Sequence, residues 1–151
     1  MASNAWWAYG SELKLGDDGT TESFTKIAEV IDIGGASMSK DAIEVTSQDS
    51  TDGWREFIPG MRDGGEYSVS ANWLPENATQ DEATGLWSKF TDNDLHNFQI
   101  VTAVCDGTAG TMDIDFAAIV TNLGQNMPLT EQAHLDFTLK VSGAVGITAS
   151  T

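Results

Sequence analysis

The sequence predicts a mainly β fold, a β-sandwich or partly open barrel with one flanking α-helix. Three observations predict it: three segments alternate apolar and polar residues with a period of two, Gly- and Asp-rich clusters separate the strand candidates, and a single segment carries a helical stripe.

In chain order, Ser11–Leu15 is a short strand candidate closed by the turn cluster Gly16-Asp17-Asp18-Gly19. Lys26–Ile33 follows and ends at Gly34-Gly35, and Ala42–Thr46 comes next. Residues 47–65 have no clean period and read as a long loop ending in Asp63-Gly64-Gly65. In Glu66–Leu74, Tyr67, Val69, Ala71 and Trp73 fall on one face, with Ser68, Ser70 and Asn72 on the other. The helix is expected over about 79–91. Thr79 and Glu82 have capping-box spacing, and Ala83, Leu86, Trp87 and Phe90 form an apolar stripe suited to cover an open face of the sheet. Gly85 weakens that helix by about 1 kcal/mol relative to Ala. Phe98–Val104 is a strand candidate closed by Asp106-Gly107. Met112–Val120 puts Met112, Ile114, Phe116, Ala118 and Val120 on one face. Leu135–Val141 does the same with Leu135, Phe137, Leu139 and Val141, opposite Asp136, Thr138 and Lys140. One apolar and one wet face is the mark of half-buried antiparallel strands.

A chain of 151 residues fits one domain and can bury a core without disulfides or metals. The balance of 7 Lys and Arg against 23 Asp and Glu, a formal charge of -16, opposes sequence-independent DNA binding, which needs a basic face. The one cysteine, Cys105, forms no intramolecular disulfide and fits a reducing compartment. No apolar run reaches the roughly 20 residues that span a bilayer. The first ten residues lack the basic and apolar regions of a signal peptide.

Catalytic and metal constellations are weak. Cys105 with His96 or His134 would make a nucleophile and base, but Asp106 beside the thiol opposes thiolate formation. Asp17-Asp18-Gly19 and the acidic run from Asp49 to Asp52 lack the alternating spacing of a calcium loop. Asp113 and Asp115 share a strand face, as a glycosidase pair would, with nothing in sequence to raise one pKa. No catalytic residue, metal or cofactor is expected.

The segment 47–65 is harder to place in a monomer. Structureless loops of this length are uncommon in compact domains. This one holds Trp54, Phe57, Ile58, Pro59 and Met61 together with Arg55 and Arg62. Burying one large apolar side chain stabilises by roughly 1.5–3 kcal/mol, so leaving all of them in water is costly. Either the segment folds back over its own domain or it docks onto another subunit. Aromatic and Arg side chains are the usual interface anchors, and the two arginines suit a neighbour's carboxylates. Trp54, Arg55, Phe57, Ile58, Met61 and Arg62 are therefore the expected inter-subunit residues. Trp6-Trp7 makes a weaker case of the same kind.

The run Ile43-Glu44-Val45-Thr46-Ser47-Gln48-Asp49-Ser50, then Gly53-Trp54-Arg55-Glu56-Phe57-Ile58-Pro59-Gly60, then Asp63-Gly64-Gly65-Glu66, resembles the major tail tube proteins of long-tailed, siphovirus-type phages. The likeness continues in Asn97-Phe98-Gln99-Ile100-Val101, around Phe116 and in Leu139-Lys140-Val141-Ser142-Gly143, spanning about Gly10 to Gly143. Met61 stands where the family pattern has Leu.

The resemblance implies a structural virion protein made in the host cytoplasm. It would be a single domain with an N-terminal extension over 1–9, the inter-subunit loop over 47–65 and a C-terminal tail over 144–151. Six subunits would form a ring, and rings would stack into a hollow tube with DNA passing through unbound. Its partners would be itself and the tail tip, tape measure and terminator proteins, with no membrane. A barrel of about 24 strands spaced about 4.8 Å and tilted near 40° has a backbone diameter near 50 Å, enough for a duplex. A polar face of Glu66, Ser68, Ser70 and Asn72, with Asp136, Thr138 and Lys140, would line the lumen. Competing readings are a monomeric β-sandwich module that binds carbohydrate or protein, and a secretion-system tube protein.

Overall fold

The computed structural model describes residues 3, 5–104 and 110–150. Among them run nine strands: β1 (Glu12–Gly16), β2 (Phe24–Lys26), β3 (Val30–Gly34), β4 (Ser39–Glu44), β5 (Phe57–Asp63), β6 (Glu66–Asn72), β7 (His96–Val101), β8 (Thr111–Asn126) and β9 (His134–Ser150). One short helix, α1 (Leu86–Thr91), precedes β7. The main sheet is antiparallel with strand order β2-β1-β7-β8-β9-β6-β3, and β4 and β5 form a separate pair.

The two long strands serve both flanks of the sheet. The first half of β8 pairs with β7 as far as Ala118, and the first half of β9 pairs with β6 as far as Lys140. The ladder between β8 and β9 shifts register between Asp115 and Ala117 and again between Val120 and Asn122. Bulges of this kind bend a strand and raise its twist. The flanks consequently turn toward each other, and β1 touches β3 across the core. The result is a sandwich-like, unclosed layer pair.

The alternating faces predict the core well. Tyr67, Val69 and Ala71 of β6, Phe116, Ala118 and Val120 of β8, and Leu135, Phe137, Leu139 and Val141 of β9 are all buried. Leu13 and Leu15 of β1 and Phe98 and Ile100 of β7 complete the opposite wall. Phe116 stacks on Tyr67 at 4.7 Å and on Phe98 at 5.9 Å, joining the two walls.

Four expectations need correction. The helix expected over 79–91 is reduced to α1. Thr79 does not cap it, because its hydroxyl accepts from Ala28 N (3.1 Å) and donates to Asn77 Oδ1 (2.6 Å). The preceding turn is held by Asp81, which accepts from Thr84 N at 2.9 Å and Gly85 N at 3.0 Å. The helical stripe does not form a core face either: Leu86 is buried, while Ala83, Trp87 and Phe90 are exposed. Lys26–Ile33 is split into β2 and β3 at Glu29, whose φ is +51°. The loop over 47–65 is shorter than expected, since Phe57–Asp63 pair with β4, which itself begins at Ser39. Pro59 hid this strand; it is tolerated because β5 is an edge with a bulge opposite Lys40 and Ala42. Residues 144–150, expected as a tail, continue β9 and pair with β8 up to Thr111↔Ser150. Gly143, at φ +85°, lets the chain pass the bulge and resume the strand. The Asp106-Gly107 turn and Cys105 lie outside the described residues.

Candidate functional site: an exposed two-stranded arm

β4 and β5 form an arm that leaves the body beside β6. All six residues of β4 are exposed, and in β5 only Gly60 is partly covered. An isolated two-stranded hairpin is marginal in water, so this one must gain order locally or from a partner.

Local order begins at the base. Gly65 has φ +78°, and a Cβ there would stand 2.6 Å from the carbonyl oxygen of Ser37, so only glycine fits this crossing. Asp63 accepts from Gly65 N (2.9 Å) and from Lys140 Nζ (3.0 Å). Those hydrogen bonds, the Gly65 amide first and then the ammonium, hold the Asp63 carboxyl below the usual carboxylate range. The tip is equally built. Val45 N donates to Glu56 O at 2.8 Å, Glu56 N to Thr46 Oγ1 at 2.8 Å, and Ser50 Oγ to Glu56 Oε2 at 2.6 Å. A 3-10 turn over Thr51–Gly53 closes the end.

This scaffold displays its apolar residues to solvent. Trp54 is 75% exposed, Met61 83%, Phe57 50% and Ile58 49%. Ile58 faces Ile43 across the pair, and both lie on one side. On the other side, Phe57 is opposite Glu44, Pro59 opposite Ala42, and Arg62 opposite Lys40. Arg55 pairs with Glu44 and lies 5.3 Å from the centre of the Phe57 ring. The six residues expected at an interface are thus brought together, and none is folded under the body. Lys40, Ile43 and Val45 complete the surface. Sequence reading missed Lys40 because it placed the strand's start too late.

The seven polar residues expected on one wall also share a face. Glu66 pairs with Lys140, Ser68 with Thr138, and Ser70 with Asp136, while Asn72 ends the row. Ser70 Oγ donates to Asp136 Oδ1 at 2.6 Å, and Lys140 turns to Asp63.

The weaker chemical candidates have structural roles. Asp17 accepts from Ser23 N and Gly19 N within the β1–β2 turn, and these bonds, the Ser23 amide first, lower its carboxyl pKa. His96 is 2% exposed, with Nδ1 3.0 Å from Asp18 Oδ2. His134 lies beside Asn126 at 3.2 Å, and Asp115 accepts from Gln99 at 2.9 Å. Among the described residues no three His, Cys, Asp or Glu side chains converge as a metal site. No helix among them is long and apolar enough to cross a membrane. Trp7 is exposed and stacks on Tyr9 at 4.9 Å.

The architecture is a bent antiparallel sandwich with a projecting two-stranded arm. The family model of the lambda phage tail tube protein matches residues 7–148. The chain belongs to that family. The match extends past both ends of the stretch, Gly10 to Gly143, on which the sequence resemblance rests.

No curated protein sequence matches the chain. Solved structures do. Similarity to the tail of an empty gene transfer agent particle, refined with C6 symmetry, has TM-score 0.66 at 23% identity, covering 91% of this chain and 94% of that one. The sheath/tube terminator structure of an extracellular contractile injection system gives 0.71 at 16% identity, over 98% and 99%. The SPP1 tail tube gives 0.63 at 12% identity, over 99% and 78%. At these identities the likeness shows a shared fold. As a tail tube protein, the chain is a structural component of the virion tail.

Proposed function

We propose that this tail tube protein forms hexameric rings that stack into the conduit through which DNA leaves the virion. The observation that carries the reading is the arm: preformed at base and tip, exposed on both faces, and covered with apolar and cationic side chains that nothing among the described residues shelters. Trp54, Arg55, Phe57, Ile58, Met61 and Arg62 act here as inter-subunit residues. Arg55 acts through Phe57 and Glu44, on which it already rests. Because the arm is ordered before contact, association costs little further conformational entropy.

Ring closure has a supply of strand edges. Among the described residues the layer β3-β6-β9-β8 ends at β3, which pairs only with β6, and at the second half of β8, which β7 does not reach. Four strands from each of six subunits would make a barrel of about 24 strands and about 50 Å across. The sixfold symmetry of the gene transfer agent tail supports that number. Closing the barrel would also remove exposed edges that otherwise promote aggregation.

The row of Glu66, Ser68, Ser70, Asn72, Asp136, Thr138 and Lys140 would face the lumen. Lys140 is neutralised by Asp63, so this wall offers DNA no free cation, and its carboxylates repel phosphate. The same subunits would meet tail tip, tape measure and terminator proteins at the tube ends. A tube of a contractile injection apparatus, which need not carry DNA, is the second reading, supported by the terminator likeness.

Electron microscopy of the purified chain mixed with a tail tip complex tests the assembly. Rings or tubes with sixfold symmetry are the expected result. A chain that remains monomeric on that nucleus overturns the proposal, and tubes from virions that exclude DNA throughout ejection select the second reading.

A further inference from the structure

α1 carries a second uncovered surface, away from the arm. Trp87 and Phe90, three residues apart on the helix, are 38% and 42% exposed, and Leu95 just beyond is 50% exposed. Asp92 and Asp94 lie between them and Leu95, in a stretch exposed throughout. Only Leu86 anchors the helix in the core, and Lys89 turns inward to Asp18 at 2.5 Å. The surface is thus apolar with an acidic border.

The arm has the complementary composition on one face. Phe57 and Pro59 lie on the same side as the Lys40–Arg62 cross-strand pair. Lys14, Lys26, Arg55, Lys89 and Lys140 all have carboxylate partners. Lys40 and Arg62 have none among the described residues, in a chain of formal charge -16. Two like charges directly opposite each other on a strand pair are destabilising, so this pair stands against the stability of the single chain.

Within one chain the two surfaces leave the sheet at opposite ends of β6. The arm departs from the Glu66 end of β6 and packs on β9, while the segment bearing α1 departs from the Asn72 end and packs on β8. Different surfaces at separate places make a heterologous contact, the kind that repeats into rings or stacks.

We propose that the α1 surface of Trp87, Phe90 and Leu95, bordered by Asp92 and Asp94, is the receptor for the arm of a second copy. Phe57 and Pro59 pack against the two rings, and Lys40 and Arg62 meet the two carboxylates. This rests on the tube reading and identifies what the arm binds.

Charge exchange tests it. Arg62→Asp and Asp94→Arg, each at an exposed position, do not lower the melting temperature of the monomer, and Arg62→Asp, by removing the like-charge pair with Lys40, raises it slightly. Each alone lowers the yield of tubes on a tail tip nucleus by about tenfold or more, and the two combined in one chain restore most of it. Phe90→Ser likewise folds and does not assemble. Wild-type yields from Asp94→Arg or Phe90→Ser, or a double variant no better than the singles, overturn the receptor while leaving the tube reading intact. Failure of the wild-type chain to assemble overturns both.

Discussion

Trp54 stands outside the core of its own chain. At 75% exposure on a prebuilt tip it contributes almost nothing to the fold. Trp54→Ala is therefore expected to leave the thermal midpoint within about 2 °C of wild type, which corresponds to less than about 1 kcal/mol for a chain of this size. The same variant is expected to build no full-length tubes, as read by electron microscopy. Asp18 plays the opposite part. Burial raises its carboxyl pKa, but hydrogen bonds from Lys89 and His96 outweigh that and leave it below the ordinary 3.8. A carboxyl lowered on folding contributes stability above 3.8 and loses it as pH falls through the folded value. Asp18→Asn should lower the melting temperature at pH 7 by roughly 2–4 °C, about 1 kcal/mol. The carboxylate is 39% exposed, and solvent screening keeps the effect that small. The difference between variant and wild type should close as titration proceeds below the ordinary carboxylate pKa, which differential scanning at several pH values would follow.

At the scale of elements, α1 and the arm show the same division between covered and uncovered faces. Leu86 is fully buried, and Leu86→Ala is expected to destabilise the chain by about 2–5 kcal/mol in denaturant titrations. Its neighbours Trp87 and Phe90 are larger yet lie outside, so their truncation should act on assembly. Helical periodicity marks an apolar stripe but does not tell a core face from an exposed one, and here the stripe is divided between the two. The capping-box spacing misleads for a related reason: Thr79 hydrogen-bonds Ala28, fifty-one residues away, and that tertiary contact displaces the local cap. Gln80 has the same character. It is 4% exposed and ties the β2–β3 turn to the end of β6, accepting from Leu74 N and donating to the carbonyls of Ala28 and Asn72. No local pattern marks such a residue. The arm was legible as a surface, from its aromatic and Arg content, and illegible as a strand pair, because Pro59 and Gly60 interrupt the period.

For the whole molecule, the formal charge of -16 sets what the assembled tube can do. Like-charged subunits repel at long range, and within about a Debye length of 8 Å the repulsion must be offset by apolar contacts and local ion pairs. That places demand on the arm and on the few cations it carries. In the proposed tube the same charge would keep a duplex from adhering to the wall. Replacing Glu66 and Asp136 together by Lys adds cations on the proposed luminal face without touching the arm. Tubes should still assemble, and DNA release from virions carrying the variant should slow several-fold at low salt and recover as salt rises. Release at the wild-type rate would place that face elsewhere.

By itself the sequence determined the fold class, the buried sides of β6, β8 and β9 and the surface character of the arm. Each follows from neighbours along the chain: a two-residue period sorts one strand's side chains into inside and outside, and a cluster of aromatics has a solvent cost wherever it is placed. Tertiary structure alone decided that β8 and β9 bend to serve both flanks, that α1 is one short turn-bounded helix with its aromatics outside, and that residues 57–63 pair with 39–44 to form the arm. Those outcomes depend on which distant backbone groups satisfy one another, as with Thr79 and Ala28 or Gly65 and Val141, and no local period encodes that choice.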